Sequence, residues 1–167
     1  MSPSSIVPVG LMIRPATPAD VPAIAALIRA LAEYEKLHYE VVLAEGALHK
    51  HLFGPRPFAE VLLAEDGGKP VGFALFFPNY STFLGRGGLY LEDLFVLEEY
   101  RGKGYGRALL TALARLAVER GAGRLEWAVL DWNEPAIGFY KKLGAKAMDE
   151  WTTYRLQGDA LEKLSRG

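Results

Sequence analysis

Cysteine is absent from the 167 residues, which excludes disulfides, thiolate metal ligands and cysteine nucleophiles and leaves the redox compartment open. Histidine is scarce. His38, His49 and His51 lie in one early stretch, can make a metal pair at most and have no HExxH pattern around them, so they read as solvated helix residues and no metal is expected. No apolar stretch approaches the roughly 18 residues that a bilayer span needs. Residues 1–10, rich in Ser, Pro and Val, lack a basic start, and their apolar run is too short for a signal peptide. They read as a flexible N-terminal extension, with no membrane partner and a cytoplasmic location expected. Charge of one sign is also missing: 19 basic residues stand against 20 acidic ones, a formal net charge of −1. That argues against a global attraction to nucleic acid or to an anionic membrane.

What is present is an ordinary globular composition, 50% hydrophobic and 23% charged, long enough for a single domain over residues 11–167 with one core. Residues 11–14 read as a strand. Thr17-Pro18-Ala19-Asp20 then makes a helix start: Thr17 as cap, Pro18 at the first helical position, and Asp20 as an acidic variant of the capping box. Val21, Ile24, Ile28 and Leu31 follow at helical spacing, to about Tyr34-Glu35. A second helix is expected over 44–53, stopped by Gly54-Pro55. Residues 58–65 and 70–77 form a hairpin around Asp66-Gly67-Gly68-Lys69, and 79–88 reads as a loop. A strand over 89–96, a glycine turn over 101–106, a helix over 107–120 and a strand over 124–130 follow. Asn133 can cap a short helix over 135–143. Residues 147–156 offer one or two closing strands and 159–164 a terminal helix. No repeat or linker is visible. The order predicts a mixed α/β sheet flanked by helices, with residues 89–130 as a strand–helix–strand crossover.

The most informative segment is Arg101-Gly102-Lys103-Gly104-Tyr105-Gly106. It follows a strand and opens a helix. Glycine admits positive φ and close approach of a ligand to the backbone, and free amides at a helix N-terminus suit a phosphate or pyrophosphate. Arg101, Lys103 and Arg107 add charge. A Walker A string is absent. The dinucleotide pattern GxGxxG/A fails from Gly102, where the sixth residue is Arg107, and from Gly104, where it is Leu109. The pattern [R/Q]xxGx[G/A] is met by Arg101, Gly104 and Gly106. Alone, this string also fits a plain glycine-rich turn.

With the rest of the chain, the string resembles the pyrophosphate loop of the GNAT superfamily of N-acetyltransferases. The similarity runs from about Ile13 to Leu156. It is narrower toward the spermidine/spermine (diamine) acetyltransferase branch, through Ile13-Arg14-Pro15-Ala16-Thr17, Tyr90-Leu91-Glu92-Asp93, Phe95-Val96, Tyr100-Arg101-Gly102, Trp132-Asn133-Glu134-Pro135 and Phe139-Tyr140-Lys141. The resemblance implies a central mixed, mostly antiparallel sheet flanked by helices, whose crossover binds acetyl-CoA. The loop from Arg101 through Gly102, Lys103, Gly104, Tyr105 and Gly106 to Arg107 would cradle the coenzyme pyrophosphate. The backbone of Leu94, Phe95 and Val96 would pair with the pantetheine arm as an added strand does. Asn133 and Pro135 would flank the arm, and Lys142 would reach a phosphate. Asn133 as a plain N-cap and Lys142 as a solvated lysine are the competing readings.

The implied reaction moves an acetyl group from acetyl-CoA to a primary amine of a small cationic molecule: a diamine, a polyamine or a lysine-like amino acid. An alkylamine resembles lysine, with a pKa of about 10.4, and must lose a proton before it attacks. Glu92 is the candidate base, directly or through a water. Tyr140, a phenol near pKa of about 10, is the candidate acid for the leaving thiolate. Adjacent strand residues point to opposite faces, so Glu92 and Asp93 share one face only if a bulge bends the strand. Glu35, Glu92, Asp93 and Glu126 can line a pocket for a cation, with Tyr34, Trp127, Trp151 and Tyr154 offering aromatic faces. Surface charge and core packing explain the same side chains without function. The chain departs from the branch after Gly144-Ala145, where Lys146, Thr152 and Thr153 replace part of its acidic character, and the first hairpin's loop is shorter. The competing functions are a protein or peptide N-acetyltransferase and a non-catalytic acyl-CoA-binding sensor. A homodimer is expected, with 151–156 as an interface.

Overall fold

A computed structural model describes residues 8–38 and 42–167; the first seven residues of the expected extension, and 39–41 between the first two helices, lie outside the described residues. The chain forms two compact units, Met1–Ala128 and Val129–Gly167. The first unit holds a five-stranded sheet in the order β1 (Leu11–Pro15), β2 (Glu60–Asp66), β3 (Lys69–Ser81), β4 (Arg86–Val96) and β5 (Leu125–Trp127). Strands β1 to β4 pair antiparallel with their neighbours in sequence, and only β5 joins parallel, to β4. A parallel pair needs a crossover, and α3 (Tyr105–Glu119) supplies it.

The first helix begins as the sequence predicts. The Thr17 amide and hydroxyl donate to the Asp20 carboxylate at 2.7 and 3.0 Å, and Arg14 donates to the same carboxylate, which holds Asp20 well below the usual carboxylate range. After a 3-10 turn over Pro18–Asp20, α1 (Val21–Tyr34) buries Val21, Ile24, Leu27 and Leu31. That stripe packs with Leu48 and Leu52 of α2 (Glu45–Phe53) on Val61, Leu63, Phe73 and Phe95 of the sheet. The alternate residues Leu62, Ala64, Ala74, Phe76 and Leu91 are buried on the other face, where α3 covers β1 to β4 with Leu109 and Leu113 fully buried.

Three sequence expectations change. Residues 79–88 are not a loop: β3 runs through Ser81 and β4 starts at Arg86. Gly88 pairs with Asn79 in the ladder, and glycine suits the position because an added Cβ there would stand 2.6 Å from Asn79 Oδ1 and 3.2 Å from the Arg124 carbonyl. The strand expected over 124–130 is only Leu125–Trp127, because its pairing with β4 stops at Leu91. Among the described residues, 147–156 forms no strand; a strand exists as half of a pair, and no segment of the second unit supplies the other half. That unit carries α4 (Glu134–Lys142) and α5 (Gly158–Ser165). No helix among the described residues is long and apolar enough to cross a membrane.

Candidate active site

The register of β4 holds the irregularity on which the site is built. Leu75 of β3 lies opposite Asp93 and Phe76 opposite Leu91, so Glu92 has no partner. That is a β-bulge, which bends a strand and re-aims its side chains. Pairing with β5 ends one residue earlier, at Leu91. From residue 92 to 96, β4 has no strand on its β5 side among the described residues. The Leu97 amide donates to the Val71 carbonyl at 2.8 Å, and the backbone groups of successive strand residues alternate in direction. Leu94 and Val96 therefore aim their amides and carbonyls at the open edge. Phe95 aims its backbone at β3 and buries its ring, 6% exposed.

Beyond this edge the glycine loop turns into α3. Gly102 and Gly104 have φ of +76° and +84°, a region costly for side chains with a Cβ. Gly104 is the N-cap, and among the described residues no side chain caps the helix. The first-turn amides around Tyr105, Gly106 and Arg107 thus sit where a helix N-terminus carries partial positive charge. Tyr105 turns its side chain inward, 4% exposed, and its hydroxyl donates to Asp66 Oδ2 at 2.9 Å. Lys103 Nζ and Lys69 Nζ lie 5.3 and 5.9 Å from the Tyr100 ring centroid. The sequence marks Lys69 only as a hairpin-turn residue: it sits at the β2–β3 turn, 34 positions before Lys103, and the strand order brings it to the loop. The open edge and the uncapped glycine turn fit a long ligand with an amide-bearing arm and a pyrophosphate.

Electrostatics locate the acidic residues. Burial, then the charges of Glu92 and Glu35, push the Asp93 carboxyl up to about 7. Burial, then Glu92, push Glu35 up, and burial with Glu92 and Glu126 raises Tyr90. The bulge is what lets Glu92 and Asp93 act in one neighbourhood with Glu35 from the end of α1. Glu126 belongs to a different arrangement. Its Oε1 accepts from Asn79 Nδ2 at 3.2 Å and from Arg124 Nε at 2.9 Å, so its charge is compensated. Trp127 pairs with Leu91 and is half-buried. The Tyr34 ring already holds a cation: the Arg101 guanidinium carbon is 4.5 Å from its centroid.

In the second unit, Asn133 is 8% exposed, and its side-chain oxygen accepts from the Ala136 amide at 3.4 Å, which makes it the N-cap of α4. Pro135 stands in the first turn, where a missing N–H costs nothing. The half-buried Tyr140 packs its ring 5.6 Å from that of Phe139, and its carbonyl accepts from the Ala145 amide at 3.2 Å. Lys142 is exposed in the last turn. Trp151 and Tyr154 are 73% and 92% exposed. Among the described residues, no group of three or more His, Cys, Asp or Glu side chains is placed to hold a metal ion.

Comparison with known proteins identifies the family. Residues 24–145 match the Acetyltransferase (GNAT) family. A thialysine N-epsilon-acetyltransferase of Bos taurus is 42% identical, over 93% of this chain and 97% of that protein. The L-ornithine N5-acetyltransferase NATA1 of Arabidopsis thaliana is 38% identical, over 92% of this chain and 87% of that protein. Among solved structures, the integron cassette protein VCH_CASS6, from the mobile metagenome of V. cholerae, superposes with a TM-score of 0.80 at 27% identity and covers 95% of this chain and 99% of that one. This chain belongs to the GNAT family of acetyl-CoA-dependent N-acetyltransferases.

Proposed function

We propose that the chain, as one domain over residues 11–167, acetylates the terminal primary amine of a small cationic molecule, an amino-acid side chain of the ornithine or thialysine kind ahead of a diamine or polyamine. The observation that carries this reading is the group of three carboxylates, Glu35, Glu92 and Asp93, gathered by the Glu92 bulge beside the open edge of β4. Such a group attracts an ammonium and disfavours an anion. The names of the relatives, for ornithine and thialysine, support an acceptor with an amine at the end of an aliphatic stem.

The coenzyme would be held by the Leu94 and Val96 backbone and by the amides from Gly102 to Arg107; for Asn133, Pro135 and Lys142 the support is the resemblance of their sequence to the family. Bound there, acetyl-CoA supplies an acetyl group activated as a thioester. The carboxylates first hold the amine as its ammonium ion. Glu92 takes one proton, directly or through a water, and frees the nitrogen lone pair. Glu92 passes that proton to bulk water and, as the N–C bond forms and the C–S bond breaks, takes the second proton from the nitrogen. Tyr140 delivers a proton to the departing sulfur and recovers one from water. Exposed Trp151, Tyr154 and Leu156 support a homodimer as the working form.

The test is thiol release from acetyl-CoA with ornithine, lysine, thialysine, putrescine, spermidine, an aminoglycoside and a short peptide. Turnover confined to the small amines is expected, with Tyr140→Phe lowering kcat by about 100-fold and leaving the amine KM near its starting value. Turnover confined to the peptide overturns the substrate class. An unchanged kcat in the variant removes Tyr140 from the chemistry.

A further inference from the structure

Arg101 opens the glycine loop, and its place in the motif makes it one of the positive charges around a pyrophosphate. Its side chain is engaged elsewhere. Nε donates to the Val96 carbonyl at 2.9 Å. The guanidinium carbon lies 4.5 Å from the Tyr34 ring centroid and 5.3 Å from that of Phe95, and those two rings pack at 6.4 Å. A planar guanidinium can stack on a ring and donate in its own plane at the same time. The carbonyl it takes belongs to the open edge of β4, where an added strand would bond. The ring it covers belongs to the last residue of α1, and Glu35 of the carboxylate group comes next in the chain. One side chain therefore joins the start of the coenzyme loop, the arm-binding edge and the helix end that carries an acceptor carboxylate.

Resting on the acetyl-transfer reading above, we propose that Arg101 is a positioning residue and not a phosphate ligand. It withholds the Val96 carbonyl from the pantetheine arm, which leaves the Leu94 carbonyl, the Leu94 amide and the Val96 amide as the arm's partners. It also fixes Tyr34, and through Tyr34 the place of Glu35 beside Glu92 and Asp93.

The two roles separate when the acetyl donor loses its phosphates. Wild type, Arg101→Ala and Arg101→Lys are assayed with acetyl-CoA and with acetyl-pantetheine, which lacks the pyrophosphate and the adenosine phosphate. A positioning residue acts on both donors. Arg101→Ala is expected to raise the amine KM and to lower kcat/KM for the amine about 10-fold with either one. Arg101→Lys is expected not to rescue, since an ammonium cannot stack and donate in one plane. It retains the charge and stem, so it decides the question if the alanine variant unfolds in a thermal melt. A loss seen with acetyl-CoA but not with acetyl-pantetheine overturns the proposal, and so does full rescue by lysine. Wild type without turnover on any amine refutes instead the acetyl-transfer reading on which the proposal rests.

Discussion

Replacing Asp93 by asparagine removes a carboxylate from a place that resists charge, and the consequence for stability follows from the structure. Burial and the neighbouring Glu92 and Glu35 charges raise this carboxyl from 3.8 to about 7. At about 1.4 kcal/mol for each pH unit, the ionised group opposes folding by about 4 kcal/mol once the pH is above 7. The sign follows from proton counting. Between about pH 4 and pH 7 the native state keeps a proton that the unfolded chain has released, so stability falls as pH rises through this window. Below about pH 4 both states are protonated and the penalty is gone. Asparagine has nearly the same shape and no such titration. Urea unfolding followed by far-UV circular dichroism at pH 5, 6, 7 and 8 measures the difference. The variant's advantage over the wild type is expected to widen by about 2.5 kcal/mol from pH 5 to pH 8. Glu35 is also raised, by burial and by Glu92, and it declines in both proteins, so the gap between them isolates Asp93. A gap that stays constant with pH would mean that Asp93 titrates as an ordinary carboxylate, and the picture of three carboxylates crowded at the bulge would be refuted. The same substitution removes one of the negative charges proposed to hold the substrate, so a more stable variant with a higher amine KM is expected.

Gly104 is at φ +84°, and among the described residues an added Cβ would meet only Pro8 Cγ at 3.7 Å, so backbone strain limits Gly104→Ala. A loss of about 1–2 kcal/mol in unfolding free energy is expected together with a raised KM for acetyl-CoA, measured by urea titration and by initial rates. The proposed homodimer predicts a mass of twice the monomer by light scattering at micromolar concentration, reduced to the monomer mass by charged substitutions at Trp151 and Tyr154.

How much of this was legible beforehand differs from element to element. The helix start at Thr17-Pro18-Ala19-Asp20 and the apolar spacing of α1 appear where the sequence predicts them, because capping and helical periodicity act over a few residues. The closing strand expected over 147–156 does not form within its own unit, although Trp, Thr and Tyr favour strands. Strand propensity expresses the fit to a neighbour, and it has no force without one. The turn and glycine residues of 79–88 suggested a loop, whereas Gly88 is the strand residue that leaves room for the Asn79 side chain.

Glu35, Glu92 and Asp93 were nameable from the chain as candidates for a cation pocket, and so was Glu126. The sequence could not say that Glu126 is bound to Asn79 and Arg124, that the Tyr34 face already holds Arg101, or that Lys69 approaches the loop. These pairs are joined by register and strand order, not by proximity in the chain.

The residues by themselves determine the glycine loop, the helix that follows it and the tyrosine of α4, because positive φ, capping and periodicity are preferences of short segments. The tertiary structure decides which carboxylates share a pocket and what their protons do. Desolvation and Coulomb interaction depend on distances between residues far apart in the chain, such as Glu35 and Asp93, and those distances follow from the packing of α1 on the sheet and from the register of β4, where Glu92 is unpaired.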